Sequence, residues 1–407
     1  MHSLWPWLAL MLSWVGNCGF WLFCFNRVNA FGYPRPIAKL GEKVCISLCF
    51  LIPGLVLWWC WPSVSLWLRG AQFWPEAAPM AFRWWLAFSW ACLMVLGPLW
   101  LESRRWVIPP KHLVETQSQL YNVHQHIPGG SAANLSTRCW SLLPLNEWAH
   151  LEVTQKTIQL YRDLPACHAF KIGHLSDLHF TGQYSEDHYH FVVDRMMELE
   201  ADLIAISGDI IDFQDFLPLV DSVLGRLSAP LGVYYVLGNH DRRLRDINPL
   251  VSALEQIGLY DLGTRDYRLQ HRGLPILLTG DESPWFRRRL EGSAGTAENQ
   301  SAWVDASFDG LRLAVAHTPD RIGWARQRQI DLLLAGHTHG GQARFPLVGP
   351  LVAPSLYGSK FASGLFALPP TVMHVSRGVA GTHTIRWRCP PEISLLTLAN
   401  CQPKRTR

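Results

Sequence analysis

What this chain lacks narrows its chemistry before any motif does. Its 10 cysteines point to reduced thiols and not to a disulfide framework or a thiolate zinc site. Six of them (18, 24, 45, 49, 60 and 92) lie in the apolar first third, and the other four show no paired or CxxC spacing. Charge is scarce as well. A net charge of +4 is too mild to argue for nucleic acid as partner, and Asp, Glu and His are nearly missing before Trp106. No internal repeat stands out, so a solenoid or propeller is not indicated.

Tryptophan and long apolar runs take the place of charge at the start of the chain. Of the 20 tryptophans, 14 lie at or before Trp106. Leu4 to Phe25 is 22 uncharged residues, more than the roughly 20 that cross a hydrocarbon core as a helix. It has no basic start and no small-residue cleavage site, so it reads as a retained anchor. Val44 to Leu68 is a second such run, with Pro53 and Pro62 tolerable inside a membrane. Met80 to Leu101 is a third, with Arg83 near enough to its end to snorkel. Trp58, Trp59, Trp61, Trp67, Trp84, Trp85 and Trp100 fit interfacial belts. Arg27, Arg35, Lys39 and Lys43 separate the first two runs, Arg69 the next two, and Arg104, Arg105 and Lys111 follow the third. By the positive-inside rule, a multi-pass protein of the cytoplasmic (inner) membrane is expected, its N-terminus outside and all that follows Leu101 in the cytosol.

Residues 102–150 are polar and rich in turn signals, and read as a connector; His124 and His126 within it read as solvated. A catalytic domain is expected over 151–400, with a basic tail at 401–407. Lys171–Ser176, Leu203–Ser207, Val233–Leu237, Ile276–Thr279, Leu311–Ala316 and Asp331–Ala335 read as buried strands, followed late by Thr371–Ser376 and Ile393–Leu398. Phe191–Glu200, Phe216–Leu227 and Pro249–Ile257 read as helices between them. The expected class is α/β, stacked sheets flanked by helices.

Five of these strands run into groups that bind metals. They lead to Asp177 and His179, to Asp209, to Asn239 with His240 and Asp241, to His317, and to His337 and His339. Ligands of open α/β sheets gather beyond the carboxyl ends of strands, so groups far apart in sequence can share one site. Imidazole, carboxylate and amide oxygen without thiolate suit Mn, Fe, Zn or Co and disfavour an all-oxygen Mg or Ca cage.

The ordered series Asp177-x-His179, Gly208-Asp209, Gly238-Asn-His-Asp241, His317 and Gly336-His-Thr-His339 resembles the calcineurin-like metallophosphoesterases. The likeness spans about Val153 to Leu398. Its tail, Ser376-Arg-Gly378 with Pro391-Glu-Ile393, is similar to the membrane-anchored bacterial branch. The resemblance implies a metallophosphoesterase-type β-sandwich behind three transmembrane helices. It implies two divalent metal ions, with Mn the assay metal of choice. One would be held by Asp177, His179, Asp209 and His339, the other by Asp209, Asn239, His317 and His337, with Asp209 bridging. Two such cations clamp the attacking and leaving oxygens of an in-line displacement at phosphorus, and two carboxylates against two dications leave a cationic centre that attracts phosphate.

His240 directly follows a ligand and is expected at the rim, stabilising phosphoryl oxygens and protonating the departing alkoxide. Asp241 is expected to orient that imidazole and raise its pKa. Arg377, Arg242 and Arg287 are candidate substrate contacts. His174, Asp187, His188 and His190 read as a solvated loop, and Asp281 and Glu282 as turn residues or supports of the site. Trp285-Phe-Arg-Arg-Arg-Leu290 mixes aromatic and cationic groups as interfacial segments do.

The reading is a membrane-anchored phosphohydrolase of phosphoester or pyrophosphate bonds. Tethering suggests a lipid-linked substrate, and some membrane-associated relatives act on UDP-2,3-diacylglucosamine. A broad-specificity phosphodiesterase or nuclease is the alternative, and a non-catalytic metal-binding scaffold or receptor is the alternative of another class. Nucleic acid is not expected as a partner.

Overall fold

The computed structural model describes residues 4–69, 78–107, 109–288, 308–381 and 383–399. The chain divides into two compact units, one of residues 1–108 with 356–360 and one of 109–355 with 361–407.

The first unit holds α1 (Trp5–Val28), α2 (Arg35–Trp59), α3 (Trp61–Leu68) and α4 (Met80–Ser103). Three of these, α1, α2 and α4, are long and apolar enough to cross a membrane. The run expected to be one span from Val44 to Leu68 starts earlier, at Arg35, and breaks at Cys60. Pro62 cannot donate to the carbonyl of Trp58, so one helix stops there and another starts with its proline in the first turn. Helices α1 and α4 approach closely at Gly16, where an added Cβ would stand 2.0 Å from the carbonyl oxygen of Ser89.

The second unit is a sandwich. Its strands are β1 (Leu113–Asn122), β2 (His150–Gln159), β3 (Lys171–Leu175), β4 (Leu203–Ser207), β5 (Val233–Val236), β6 (Tyr260–Asp261), β7 (Tyr267–His271) and β8 (Leu274–Asp281). They continue with β9 (Leu311–Ala316), β10 (Leu332–Ala335), β11 (Arg344–Phe345), β12 (Gly349–Pro350), β13 (Gly364–Leu368), β14 (Thr371–Val375) and β15 (Glu392–Ala399). One sheet runs β1-β2-β15-β3-β4-β5-β6, the other β13-β14-β10-β9-β8-β7, and β11 pairs β12 in a small ribbon. The helices of this unit are α5 (Val123–His126), α6 (Leu135–Ser141), α7 (Glu186–Met197), α8 (Asn248–Gln256) and α9 (Ile322–Gln327).

The central strands are buried along their whole length, which is why they read as unbroken apolar runs. Ile172, Leu203, Val236, Ile276, Leu313, Leu334 and Leu396 fill the space between the sheets. Tyr189, Val192 and Val193 of α7, with Leu250 and Leu254 of α8, close the outer face of the first sheet. β3, β4 and β5 are mutually parallel, as are β8, β9, β10 and β14. Parallel order brings the carboxyl ends of β3, β4, β5, β9 and β10 to one edge.

Two further expectations differ from the structure. The stretch read as connector contains β1, antiparallel to β2 from Leu113 to Asn122; its side chains are mostly exposed and polar, so no core-facing alternation marks it. Phe216–Leu227 is not one α-helix but a 3-10 turn, Gln214–Phe216, and a π turn, Val220–Leu224, because Pro218 interrupts the hydrogen-bond ladder.

Candidate metal centre

Five donors, at the ends of β3, β4 and β10, turn inward on strained backbone. Asp177, His179, Asp209, His337 and His339 all have φ between 47° and 71°, a region L-residues adopt at a cost and keep where the surroundings enforce it. Neighbouring loops do that enforcing. The amide of His179 donates to the Asp209 carbonyl (2.9 Å), that of Asp177 to Gly208 (3.0 Å), and that of His337 to the Asp177 carboxylate (3.0 Å).

Two donor sets result, meeting at Asp209. In the first, His179 Nε2 lies 3.3 Å from His339 Nε2, 3.5 Å from Asp209 Oδ2 and 3.9 Å from Asp177 Oδ1, and His339 Nε2 is 3.6 Å from Asp177 Oδ1. In the second, His317 Nε2 lies 3.0 Å from Asn239 Oδ1, 3.2 Å from His337 Nδ1 and 3.3 Å from Asp209 Oδ1. Donors bound to one ion at about 2.0–2.2 Å stand roughly 3.0–3.6 Å from one another, so each set fits a cation. The buried Asp209 Oδ2 has no hydrogen-bond partner, which a metal would satisfy. Tautomers agree: His317 Nδ1 lies 2.7 Å from the Ser207 carbonyl and must donate to it, leaving Nε2 for the cation side.

A third group, His179, Asp212 and His240, is tied by hydrogen bonds instead. Asp212 Oδ2 takes the Nδ1 proton of His179 at 2.7 Å, and Oδ1 meets His240 Nδ1 and, at 3.0 Å, Arg243. Burial alone would raise the Asp212 carboxyl, but His179 and His240 hold it far below the ordinary value. The expected partner of His240, Asp241, is elsewhere. After Asn239 the chain enters a 3-10 turn, Asp241–Arg243, which swings the Asp241 carboxylate back onto the amides of Ile210, Ile211 and Gly238 at 2.7–2.9 Å. Burial and Asp209 push its pKa up to about 7 against those amides. The pKa of His240 is not raised: burial takes it down to about 4, against the pull of Asp209 and Asp212.

This geometry has counterparts in known proteins. The family model of calcineurin-like phosphoesterases matches residues 170–341. The chain is 30% identical over 254 residues to phosphodiesterase YaeI of Escherichia coli, covering 61% of this chain and 88% of that protein. It belongs to the calcineurin-like phosphoesterase family. An uncharacterized metallophosphoesterase, YkuE of Bacillus subtilis, is 28% identical over 61% of this chain and 85% of its own length. A bovine transmembrane protein with metallophosphoesterase domain is 27% identical, over 56% of this chain and 52% of that one. As a calcineurin-like phosphoesterase the chain is a phosphoester-hydrolysing enzyme, and enzymes of this family use a dinuclear metal centre.

The other candidates fall into place around that centre. Arg377 is held between two carboxylates: its guanidinium is bound to Glu392 at 2.9 Å and Glu152 at 2.5 Å. Arg242 and Arg287 are exposed. Trp285 is not interfacial; it is 8% exposed, with ring centroids 5.2 and 4.8 Å from His317 and His337. Arg289 and Leu290 of that segment, and the basic tail, lie outside the described residues. Asp281 caps the amide of Ser283 and pairs Arg321 at 2.6 Å, while Glu282 accepts the amide of Leu237 at 2.7 Å, bracing the loop that bears Asn239. Asp187 and His190 sit on α7, whereas His174 and His188 are fully buried and not loop residues. His124 accepts the amide of Ser131 at 3.2 Å and His126 Nδ1 meets the carbonyl of Asn122 at 2.8 Å; neither joins the centre.

Sequence reasoning passed over Asp212 and Arg386. Asp212 had a signal, a carboxylate three residues after Asp209, in a turn already marked as functional. Arg386 had none. It is fully buried and donates to the carbonyls of His339 (3.0 Å) and Arg377 (2.8 Å), stapling the last ligand turn to the tail.

Proposed function

We propose that the chain is a membrane-anchored phosphohydrolase with two divalent ions, Mn in assay, acting on a phosphodiester or pyrophosphate of a lipid-linked molecule such as UDP-2,3-diacylglucosamine. The observation that carries the reading is Asp209, whose two carboxylate oxygens face separate His-rich donor sets. When bound, such ions supply Lewis acidity and orient the phosphoryl group.

The rest is done by side chains. Asp177, His179, Asp209 and His339 form one cradle, and Asp209, Asn239, His317 and His337 the other. Asp212 holds the Nδ1 proton of His240, so the free Nε2, 3.9 Å from Asp209 Oδ2, is the nitrogen that meets phosphoryl oxygens. An imidazole at about 4 is neutral at ordinary pH; an arriving phosphate anion raises it, and the proton gained is the one handed to the leaving oxygen, an alkoxide from a diester or a phosphate oxygen from a pyrophosphate. Arg242 and Arg287 lie two residues from His240 and Trp285 and are exposed, which supports a diphosphate contact. The three apolar helices support a lipid-linked substrate, and the name of YaeI supports a phosphodiesterase.

The full-length protein with Mn should turn over bis-p-nitrophenyl phosphate, and His240→Ala should abolish turnover while retaining metal; a scaffold would show no turnover in either. In mixed micelles, release of UMP and 2,3-diacylglucosamine 1-phosphate tests the lipid substrate. Diester turnover without UMP would remove that substrate and leave the broad phosphodiesterase.

A further inference from the structure

Behind the centre, the interior of the sandwich holds a row of polar side chains where apolar ones would fill the space. Lys156 of β2 reaches His374 Nε2 of β14 at 2.9 Å; His374 Nδ1 meets His174 Nδ1 of β3 at 2.9 Å; His174 Nε2 meets Ser207 Oγ of β4 at 2.9 Å. Both histidines are fully buried. Lys156 is paired with Glu392 at 2.6 Å, whose other oxygen takes Arg377.

Proton positions along this row are forced. An ammonium only donates, so Nε2 of His374 accepts. A neutral imidazole then carries its proton on Nδ1 and gives it to His174, which in turn carries its own on Nε2 and gives it to Ser207. Burial keeps both rings neutral, His174 pushed down to about 3 and His374 also well below the ordinary value. The row therefore has one direction and one tautomer at each ring.

Its ends matter more than its middle. His374 pairs in register with Leu334, three residues before His337, and belongs to the sheet that bears His317, His337 and His339. His174 and Ser207 belong to the other sheet, three and two residues before Asp177 and Asp209. The carbonyl of Ser207 is the acceptor that fixes the His317 tautomer. We propose that His374 and His174 are positioning residues: their hydrogen bond ties the two sheets directly behind the centre, setting the spacing between the donor sets and the seat of His317. Buried polar groups cost stability unless fully bonded, and an apolar pair would pack without fixing register. The inference rests on the two-metal reading above.

The test uses the full-length protein in detergent, stripped of metal and titrated with Mn(II), with affinity and Mn–Mn exchange coupling read by EPR. Wild type should show a coupled pair. His374→Leu should bind the second ion about tenfold more weakly and lose the coupled signal, whereas any fall in Tm of the metal-free protein reports only the interior groups left unbonded. His374→Asn, whose amide N–H replaces Nδ1–H, should stay within about threefold of wild type. If His374→Leu does not fold, His174→Leu carries the same test by removing the same hydrogen bond from the other ring while Lys156 keeps its His374 partner, with weaker second-ion binding and altered coupling expected. Unchanged affinity and coupling in the folded variants would overturn the positioning role and leave the two-metal reading intact. A wild type with no coupled pair would overturn both.

Discussion

Asp212 serves two histidines at once, and the residue scale is where the proposed chemistry is most exposed to test. Its carboxylate holds the Nδ1 protons of His179 and of His240, so one residue fixes both a donor of the first set and the proposed acid. Asp212→Asn keeps the shape but offers one acceptor oxygen. Affinity for the first ion should fall about 10–100-fold, together with kcat, whereas His240→Ala should lower kcat about 100-fold or more and leave metal content unchanged; metal analysis beside steady-state kinetics separates the two. His188 makes a different prediction. It is fully buried against Tyr184 and Tyr189, neither ring nitrogen has a hydrogen-bond partner, and burial pushes its pKa down to about 3. A histidine whose folded value lies below the unfolded one stabilises fully above about pH 6.5, and that contribution is lost as pH falls towards the folded value. His188→Phe should remove about 1.4 kcal/mol per pH unit from the acid-side slope of stability below pH 6.5, read as thermal unfolding of both proteins from pH 6.5 to 4.5. Equal slopes would mean that the ring is not protonated on unfolding.

At the scale of elements, the ligand turns depend on glycines that leave room for side chains. A Cβ on Gly336 would stand 1.7 Å from Ser176 Oγ and 2.6 Å from Asp177 Oδ2, so Gly336→Ala must push the turn after β10 away from the one after β3. It should cost about 1–3 kcal/mol and most of the affinity for the first ion, seen by unfolding and by Mn titration. The same crowding explains what the sequence revealed. Leu203–Ser207 and Leu311–Ala316 were readable to the residue because strands buried on both faces are continuous apolar runs. The donors were readable because chemistry at strand ends needs particular residue types in order. What was not legible depended on contacts across the fold. β1 is polar and exposed, so no periodicity marks it; adjacency in sequence pairs Asp241 with His240, but the turn at Asp241–Arg243 sends it to backbone amides and leaves the position to Asp212. Trp285 looked interfacial by composition, yet packs on His317 and His337, which no local pattern encodes.

For the whole molecule, the distribution of basic residues leads to a testable orientation in the membrane. Helices Trp5–Val28 and Arg35–Trp59 are joined by a short turn, which brings Arg27, Arg35, Lys39 and Lys43 to one end of the pair. Arg104, Arg105 and Lys111 close the third span, while Arg69 alone lies between the second and third. By the positive-inside rule we propose that both clusters, and everything after Ser103, face the cytosol. A green fluorescent protein fused to the C-terminus should fluoresce, whereas alkaline phosphatase fused at the same place should be inactive. Membrane vesicles give the same answer through the enzyme itself. Sealed inside-out vesicles should hydrolyse bis-p-nitrophenyl phosphate without detergent, because an anionic phosphodiester crosses a bilayer slowly on its own, and sealed right-side-out vesicles should do so only after permeabilisation. Activity in intact right-side-out vesicles would invert the topology, and a lipid-linked substrate presented on the cytosolic leaflet would then be out of reach.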